Sequence, residues 1–155
     1  MRHSHPTADD IQALIDAETH REGPLLPILH AIQAAYDHVP EEALPLIASS
    51  LNLTTAEVHG VMSFYHDFRK APAGRHVLRI CRAEACQSMG ANALSQAVLD
   101  QLGLDWGGTT PGGRVTVEPV YCLGLCACAP AAMINGRLIG RADAARLSTE
   151  LEGVA

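Results

Sequence analysis

The first 80 residues contain no cysteine at all. No stretch of about 18 consecutive apolar residues occurs anywhere, so no transmembrane helix is expected. Residues 1–10 lack the apolar segment a secretory signal needs, and the expected compartment is a reducing cytoplasm. The 11 Lys and Arg side chains nowhere cluster, and 17 Asp and Glu outnumber them, for a net charge of −6. That balance makes nucleic acid and anionic membrane surfaces poor partners. No Gly-x-Gly-x-x-Gly follows a strand pattern. The glycines at 107, 108, 112 and 113 are not followed by Gly-Lys-Ser/Thr, so neither a dinucleotide nor a phosphate loop is expected. There is no Cys-x-x-Cys, which disfavours dithiol exchange. The eight histidines do not fall at metal-ligand spacing, and no internal repeat is visible.

Apolar residues make up 48% of the 155 and charged residues only 18%, enough apolar surface for a true core. Up to about residue 73 the apolar period is helical. Asp9 or Asp10 can cap a first helix with Ile11, Leu14 and Ile15 on one face. Pro24 can start a second, carrying Leu25, Ile28, Leu29, Ile32 and Tyr36. Pro40, Glu41 and Glu42 open a third that ends near Asn52, and Thr54 or Thr55 with Glu57 opens a fourth. Ala71-Pro72-Ala73-Gly74 breaks the pattern and sets the expected boundary between a unit at 1–73 and one at 74–155.

Beyond it the period changes. Residues 76–81 read as a strand and 87–102 as a helix closed by Gly103. Residues 114–120 read as a second strand. Asn135–Gly136 is a two-residue hairpin signal between two further strands, and 142–151 can form a closing helix. Strand, helix, strand, hairpin, helix is a thioredoxin-like α/β order. It puts cysteines at the C-terminal ends of the first two strands, where open α/β sheets commonly carry their sites.

The cysteines supply the chemistry. Cys81-x4-Cys86 is followed, after 35 residues, by Cys122-x3-Cys126. Each short gap lets one loop offer two thiolates, and the sheet closes the long gap between the pairs. Four thiolates suit an iron–sulfur cluster or a structural zinc, and the spacing leaves both open. Small residues around the pairs (Ala83, Ala85, Gly90, Gly124, Ala127 and Ala129) let main-chain N–H groups approach sulfur, and a helix after Cys86 would point its positive end at the site. Two disulfides are disfavoured by the compartment and by the odd fifth cysteine, Cys128.

Three segments resemble one family: Glu57 to Tyr65 (EVHGVMSFY), Ile80 to Ala91 (ICRAEACQSMGA) and Tyr121 to Pro130 (YCLGLCACAP). It is the small thioredoxin-like [2Fe–2S] subunit family of NADH dehydrogenase modules, found in respiratory complex I, NAD-linked hydrogenases and formate dehydrogenases. The resemblance implies an N-terminal helical bundle followed by a thioredoxin-like [2Fe–2S] ferredoxin domain, an α+β to α/β architecture. It implies one [2Fe–2S] cluster, with Cys81 and Cys86 on one iron and Cys122 and Cys126 on the other. It implies a partner subunit that binds FMN and NAD, and no catalytic site on this chain. The run Arg82 to Met89 looks most like the gamma subunit of soluble NAD-dependent molybdenum formate dehydrogenase, which adds a molybdenum catalytic subunit to the expected partners. The equivalent subunit of complex I or of an NAD-linked hydrogenase is the alternative. A structural zinc module, or a thioredoxin-like scaffold that binds partners, is the alternative from another class.

Other residues have plainer readings. Cys128 reads as a small buried hydrophobe. Arg82 and Glu84 between the ligands read equally as a solvated pair or as groups that shift a cluster potential or meet the partner. The Phe64, Tyr65, Phe68 stripe reads as core. Pro130 stands just before a predicted strand, where thioredoxin-like folds keep a cis-proline; the sequence leaves its isomer open.

Overall fold

Thr7 opens the first helix. Its hydroxyl accepts from the Asp10 N–H while the Asp10 carboxylate accepts from the Thr7 N–H, a reciprocal cap. The expected caps, Asp9 and Asp10, therefore lie inside the helix, with Asp10 as the reaching partner. The computed structural model describes residues 6–154 and divides into two units between Pro72 and Ala73.

The first unit holds α1 (Ala8–Glu18), α2 (Leu25–Tyr36), α3 (Ala43–Leu51) and α4 (Thr55–Phe64). Asp37 and Asn52 end α2 and α3 in the left-handed region, at φ 62° and 53°. Thr54 caps α4 with Glu57 reaching back, the same reciprocal cap as at Thr7. Ile11, Ile15, Ile28, Leu29, Ile32, Ile47, Val58 and Met62 form one core. Each fully buried Leu or Ile contributes about 1.5–3 kcal/mol.

After α4 the chain folds back. The Gln33 side chain donates to the Asp67 carbonyl and accepts from the Arg69 N–H, both at 2.7 Å. Phe68 is thereby carried into the core, its ring 4.9 Å from that of His30. The stripe expected to be core is split: Phe68 is buried, but Phe64 is 73% exposed and Tyr65 44%. Tyr65 ends α4 in an extended conformation, so helical periodicity stops before it reaches Phe68. Beside Tyr65, an apolar groove of about 420 Å³ is lined by Leu25, Leu26, Leu51, Leu53 and Val61. Charge is unevenly shared. Residues 6–72 carry ten acidic side chains against three basic, and residues 73–155 carry seven of each.

The second unit is built on a four-stranded mixed sheet of β1 (His76–Cys81), β2 (Val115–Val120), β3 (Ala132–Ile134) and β4 (Arg137–Ile139), in the order β2-β1-β3-β4. β1 runs parallel to β2, with Leu78 opposite Val117 and Cys81 opposite Val120, and antiparallel to β3, with Leu78 opposite Ile134. Asn135 and Gly136, at φ 49° and 86°, turn β3 into β4. The helices are α5 (Glu84–Ser88), α6 (Ala91–Leu102) and α7 (Ala144–Gly153). The single helix expected over 87–102 is two: Gly90 sits at φ 94° and separates α5 from α6. Leu78, Ile80, Val117, Ala132, Ile134 and Ile139 pack with Leu94, Val98 and Leu99 of α6 and Leu147 and Leu151 of α7. Among the described residues no helix is long and apolar enough to cross a membrane.

Candidate functional site

Cys81 is the last residue of the central strand. Its N–H donates to the Ala131 carbonyl at 2.9 Å, and the next N–H, of Arg82, donates to the Val120 carbonyl at 2.8 Å. The end of β1 is therefore pinned to β2 on one side and to the segment entering β3 on the other. The chain turns through Ala83 into α5, which carries Cys86. The Gln87 side-chain amide donates to the Arg82 carbonyl at 2.7 Å and closes this first loop. Cys86 itself lies in the five-residue α5, and the longer helix expected after it, α6, begins at Ala91, which packs in the same cluster as Cys81 and Cys86.

The second loop leaves β2 at Val120. Tyr121 is exposed, Cys122 takes φ 93° and Gly124 φ 76°. Cys126 to Cys128 make one 3-10 turn, and the Ala129–Pro130 peptide is cis. The loop is tied down from behind. The Arg141 N–H donates to the Cys128 carbonyl at 2.6 Å, and the Ala142 N–H to the Pro130 carbonyl at 2.8 Å. Gly140 approaches so closely that a Cβ there would stand 2.8 Å from Cys128 Cβ. Cys128 is half-buried rather than buried.

Two pairs of thiols result, and within each the electrostatics of one thiol shift the other: Cys81 and Cys86 act on each other, and Cys122 acts on Cys126. The pairs also feel each other: the charge of Cys126 acts on Cys86, and that of Cys81 on Cys126. Cys81 and Cys86 are buried among Ala91, Ala129 and Ala131, with Leu123 and Leu125 beside them, whereas Cys122 and Cys126 are exposed. Main-chain donors converge on sulfur. The N–H groups of Ala83, Cys122 and Leu123 reach Cys81, that of Ala131 reaches Cys86, and that of Gly124 lies 3.4 Å from Cys122 Sγ.

The protonation behaviour follows. Burial works to raise the Cys81 thiol, but those N–H donors and the Cys86 thiol outweigh it, leaving Cys81 below the ordinary thiol range. Burial, then the neighbouring Cys81, pushes Cys86 up. The charge of Cys122 pushes Cys126 up. Cys86 and Cys126 therefore keep their protons more readily than an ordinary cysteine.

Among the described residues, no group of three or more His, Cys, Asp or Glu side chains is arranged around one point as for a single metal ion. Two sulfur pairs, backed by N–H donors and small apolar side chains, suit a binuclear group taking two thiolates per metal. One orphaned atom fits the same group. Arg82 Nε, one residue beyond Cys81, is buried and has no hydrogen-bond partner. The Arg82 guanidinium lies over Trp106, with Cζ 5.2 Å from the ring centroid. Trp106 lies 24 positions away along the chain, and nothing in its sequence surroundings links it to the cysteines.

A model of the thioredoxin-like [2Fe–2S] ferredoxin family matches residues 11–155. The chain is 32% identical over 135 residues, covering 87% of itself and 79% of the relative, to the NADP-reducing hydrogenase subunit HndA of Solidesulfovibrio fructosivorans. It is 38% identical over 111 residues, covering 72% of itself and 69% of the relative, to a subunit of the NADH-quinone oxidoreductase of Aquifex aeolicus. Among solved structures it resembles an NAD+-reducing [NiFe]-hydrogenase in the H2-reduced state, at 31% identity and a TM-score of 0.66. That match covers 84% of this chain and 22% of the hydrogenase chain, so the likeness concerns about a fifth of that molecule.

Proposed function

This chain belongs to the thioredoxin-like [2Fe–2S] ferredoxin family, and on that premise we propose that it is the electron-transfer subunit of an NAD-dependent formate dehydrogenase, working beside an FMN- and NAD-binding partner. The observation that carries the electron-transfer reading is the placement of two cysteine pairs, Cys81 at the end of β1 with Cys86 in α5, and Cys122 with Cys126 in the loop after β2, with Cys81 and Cys86 in one buried cluster beside Leu123 and Leu125 of that loop. These four cysteines are the proposed cluster ligands. When bound, the cluster supplies reversible one-electron chemistry and no bond-making step.

The chain's own residues have distinct parts in this. The buried Cys81 and Cys86 hold their side of the site away from water, behind Ala91, Ala129 and Ala131. The N–H groups of Ala83, Cys122 and Leu123 favour thiolate at Cys81 and that of Ala131 at Cys86, while that of Gly124 is directed at Cys122 Sγ. The exposed Cys122 and Cys126, with the exposed Tyr121 directly before Cys122, give the short path an electron needs to reach a partner. We therefore expect docking at this end of the second unit. The groove beside Tyr65 and the exposed Phe64 supply further apolar contact area.

The formate dehydrogenase assignment, and with it a molybdenum catalytic subunit, rests on the run Arg82 to Met89. The equivalent subunit of complex I or of an NAD-linked hydrogenase is the second reading, favoured by the likeness to the NADH-quinone oxidoreductase subunit and to HndA.

Anaerobic purification, with iron, zinc and acid-labile sulfide analysis and EPR before and after dithionite, tests the cluster. About two iron and two sulfide per chain, silent when oxidised and paramagnetic when reduced, is the expected result. One zinc, no sulfide and no colour would make a structural zinc scaffold the better account. Reconstitution with the flavin and molybdenum subunits separates the branches. Formate-dependent NAD reduction that requires this chain supports the first reading, and its absence alongside hydrogen- or quinone-linked activity supports the second.

A further inference from the structure

Among the described residues, no carboxylate is seen to pair with Arg82. Its Nε is buried without a hydrogen-bond partner. Arg82 is half-buried, but its Nε is closed off from water, and leaving a cationic N–H desolvated without an acceptor is costly, so a nearby negative charge would stabilise it. The nearby carboxylates do not supply it. Glu84 is exposed, and Glu118 pairs with Arg79 at 2.9 Å.

The position of Arg82 is heavily determined. Its N–H is bonded to the Val120 carbonyl, and its own carbonyl accepts from the Gln87 side chain. Its head rests on Trp106 at 5.2 Å, within cation–π range. Trp106 is itself held by a tight turn. The Gly107 N–H donates to the Val117 carbonyl at 2.8 Å, and a Cβ at Gly108 would lie 2.8 Å from the Asp105 carbonyl oxygen. A side chain with four rotatable bonds is thus fixed at both ends, directly after Cys81.

We propose that Arg82, clamped on Trp106, is the fixed counter-charge of the cluster and raises its reduction potential. The inference rests on the four-cysteine ligand reading. Reduction adds one electron and therefore one negative charge to a group already anionic through its four thiolates. A cation fixed one residue beyond a proposed ligand, with its Nε closed off from water, favours the reduced form more than the oxidised one. Arg82 is a positioning residue here: it touches neither substrate nor ligand sulfur, and acts through its charge.

The test is potentiometric titration followed by EPR on the complete chain, comparing wild type with Arg82→Leu, Arg82→Gln, Arg82→Lys and Trp106→Leu. At a fixed potential the ratio of reduced to oxidised cluster should fall about tenfold in the Leu and Gln variants, a downward shift of about 59 mV for a one-electron couple. Arg82→Lys, which keeps the charge, should restore most of it. Trp106→Leu, which frees the head, should fall between. An unmoved midpoint in Arg82→Leu or Arg82→Gln, with wild-type iron content and EPR line shape, overturns the proposal. So does an equal shift in the Lys variant. Loss of the cluster from both neutral variants but not from Arg82→Lys supports it, since charge is then what retains the cluster. Loss from all three makes Arg82 a packing residue and overturns it. If wild type itself holds no iron and sulfide, the ligand reading fails first, and that outcome is distinct from every one above.

Discussion

The amide of Gly124 points at the sulfur of Cys122 from 3.4 Å, and both residues hold a positive φ, 76° and 93°. The sulfur is presented by a backbone turned the way L-residues avoid, and the turned backbone returns an N–H to the sulfur it presents. A Cβ on Gly124 would touch nothing within 4 Å, so the cost of adding one is purely conformational. Gly124→Ala should therefore destabilise the second unit by about 1 kcal/mol while the iron content at purification stays unchanged. Thermal melting and the rate of bleaching in air, which should rise as the loop loosens, check this.

The five cysteines should separate cleanly on substitution. Cys128 stands against Gly140 and, among the described residues, hydrogen-bonds only through its backbone, so Cys128→Ala should keep the iron, the sulfide and the reduced EPR signal. Alanine at Cys81, Cys86, Cys122 or Cys126 should abolish or strongly alter that signal. Iron and sulfide analysis of the five variants, purified anaerobically side by side, decides it.

The cap on α4 has a pH signature. The Thr54 N–H, and then its hydroxyl, hold the Glu57 carboxyl below the usual carboxylate range. A depressed folded value means the contribution is complete above the unfolded pKa of about 4.3 and is lost as pH falls through the folded value. Thr54→Ala should cost about 1 kcal/mol near neutrality from the lost cap. The gap from wild type should stay constant down to about pH 5 and narrow below pH 4, leaving the part owed to the Glu57 N–H losing its hydroxyl acceptor. Denaturant melts monitored by far-UV circular dichroism across that range test the sign.

Phe64 should matter to a partner and not to the fold. At 73% exposure it contributes little burial, so Phe64→Ser should leave the melting temperature within about 1 °C. Its affinity for the flavin-binding subunit should fall roughly tenfold, the scale of an aromatic interface anchor. The surplus of acidic over basic side chains between residues 6 and 72 predicts that the same affinity declines with added salt. Calorimetric titration at two salt concentrations measures both.

Local chemistry makes much of this molecule legible. Asn135–Gly136 announces its hairpin because few residue pairs accept two positive φ values in succession. Asn52 and Gly103 mark helix ends for the same reason. The break at Gly90 is hidden, because apolar residues on either side keep a helical period and only the backbone angle divides them. Thr7 is obscured by its acidic neighbours, although Thr7 and Asp10 together make the reciprocal cap. The aromatic stripe misleads because Tyr65 leaves the helix, and periodicity cannot register that departure. Arg82 on Trp106 has no local signature: two residues 24 apart meet only once β1 and β2 are paired.

The bonds from Arg141 to Cys128 and from Ala142 to Pro130 also impose an order in time. A ribosome that has just translated Cys126 has delivered every proposed ligand, yet β4 and the two amides that hold the second loop are still unmade. A nascent chain is then rich in accessible thiols and poor in structure to govern them. A product ending before residue 142 would carry every proposed ligand but lack the two amides that tie the second loop down.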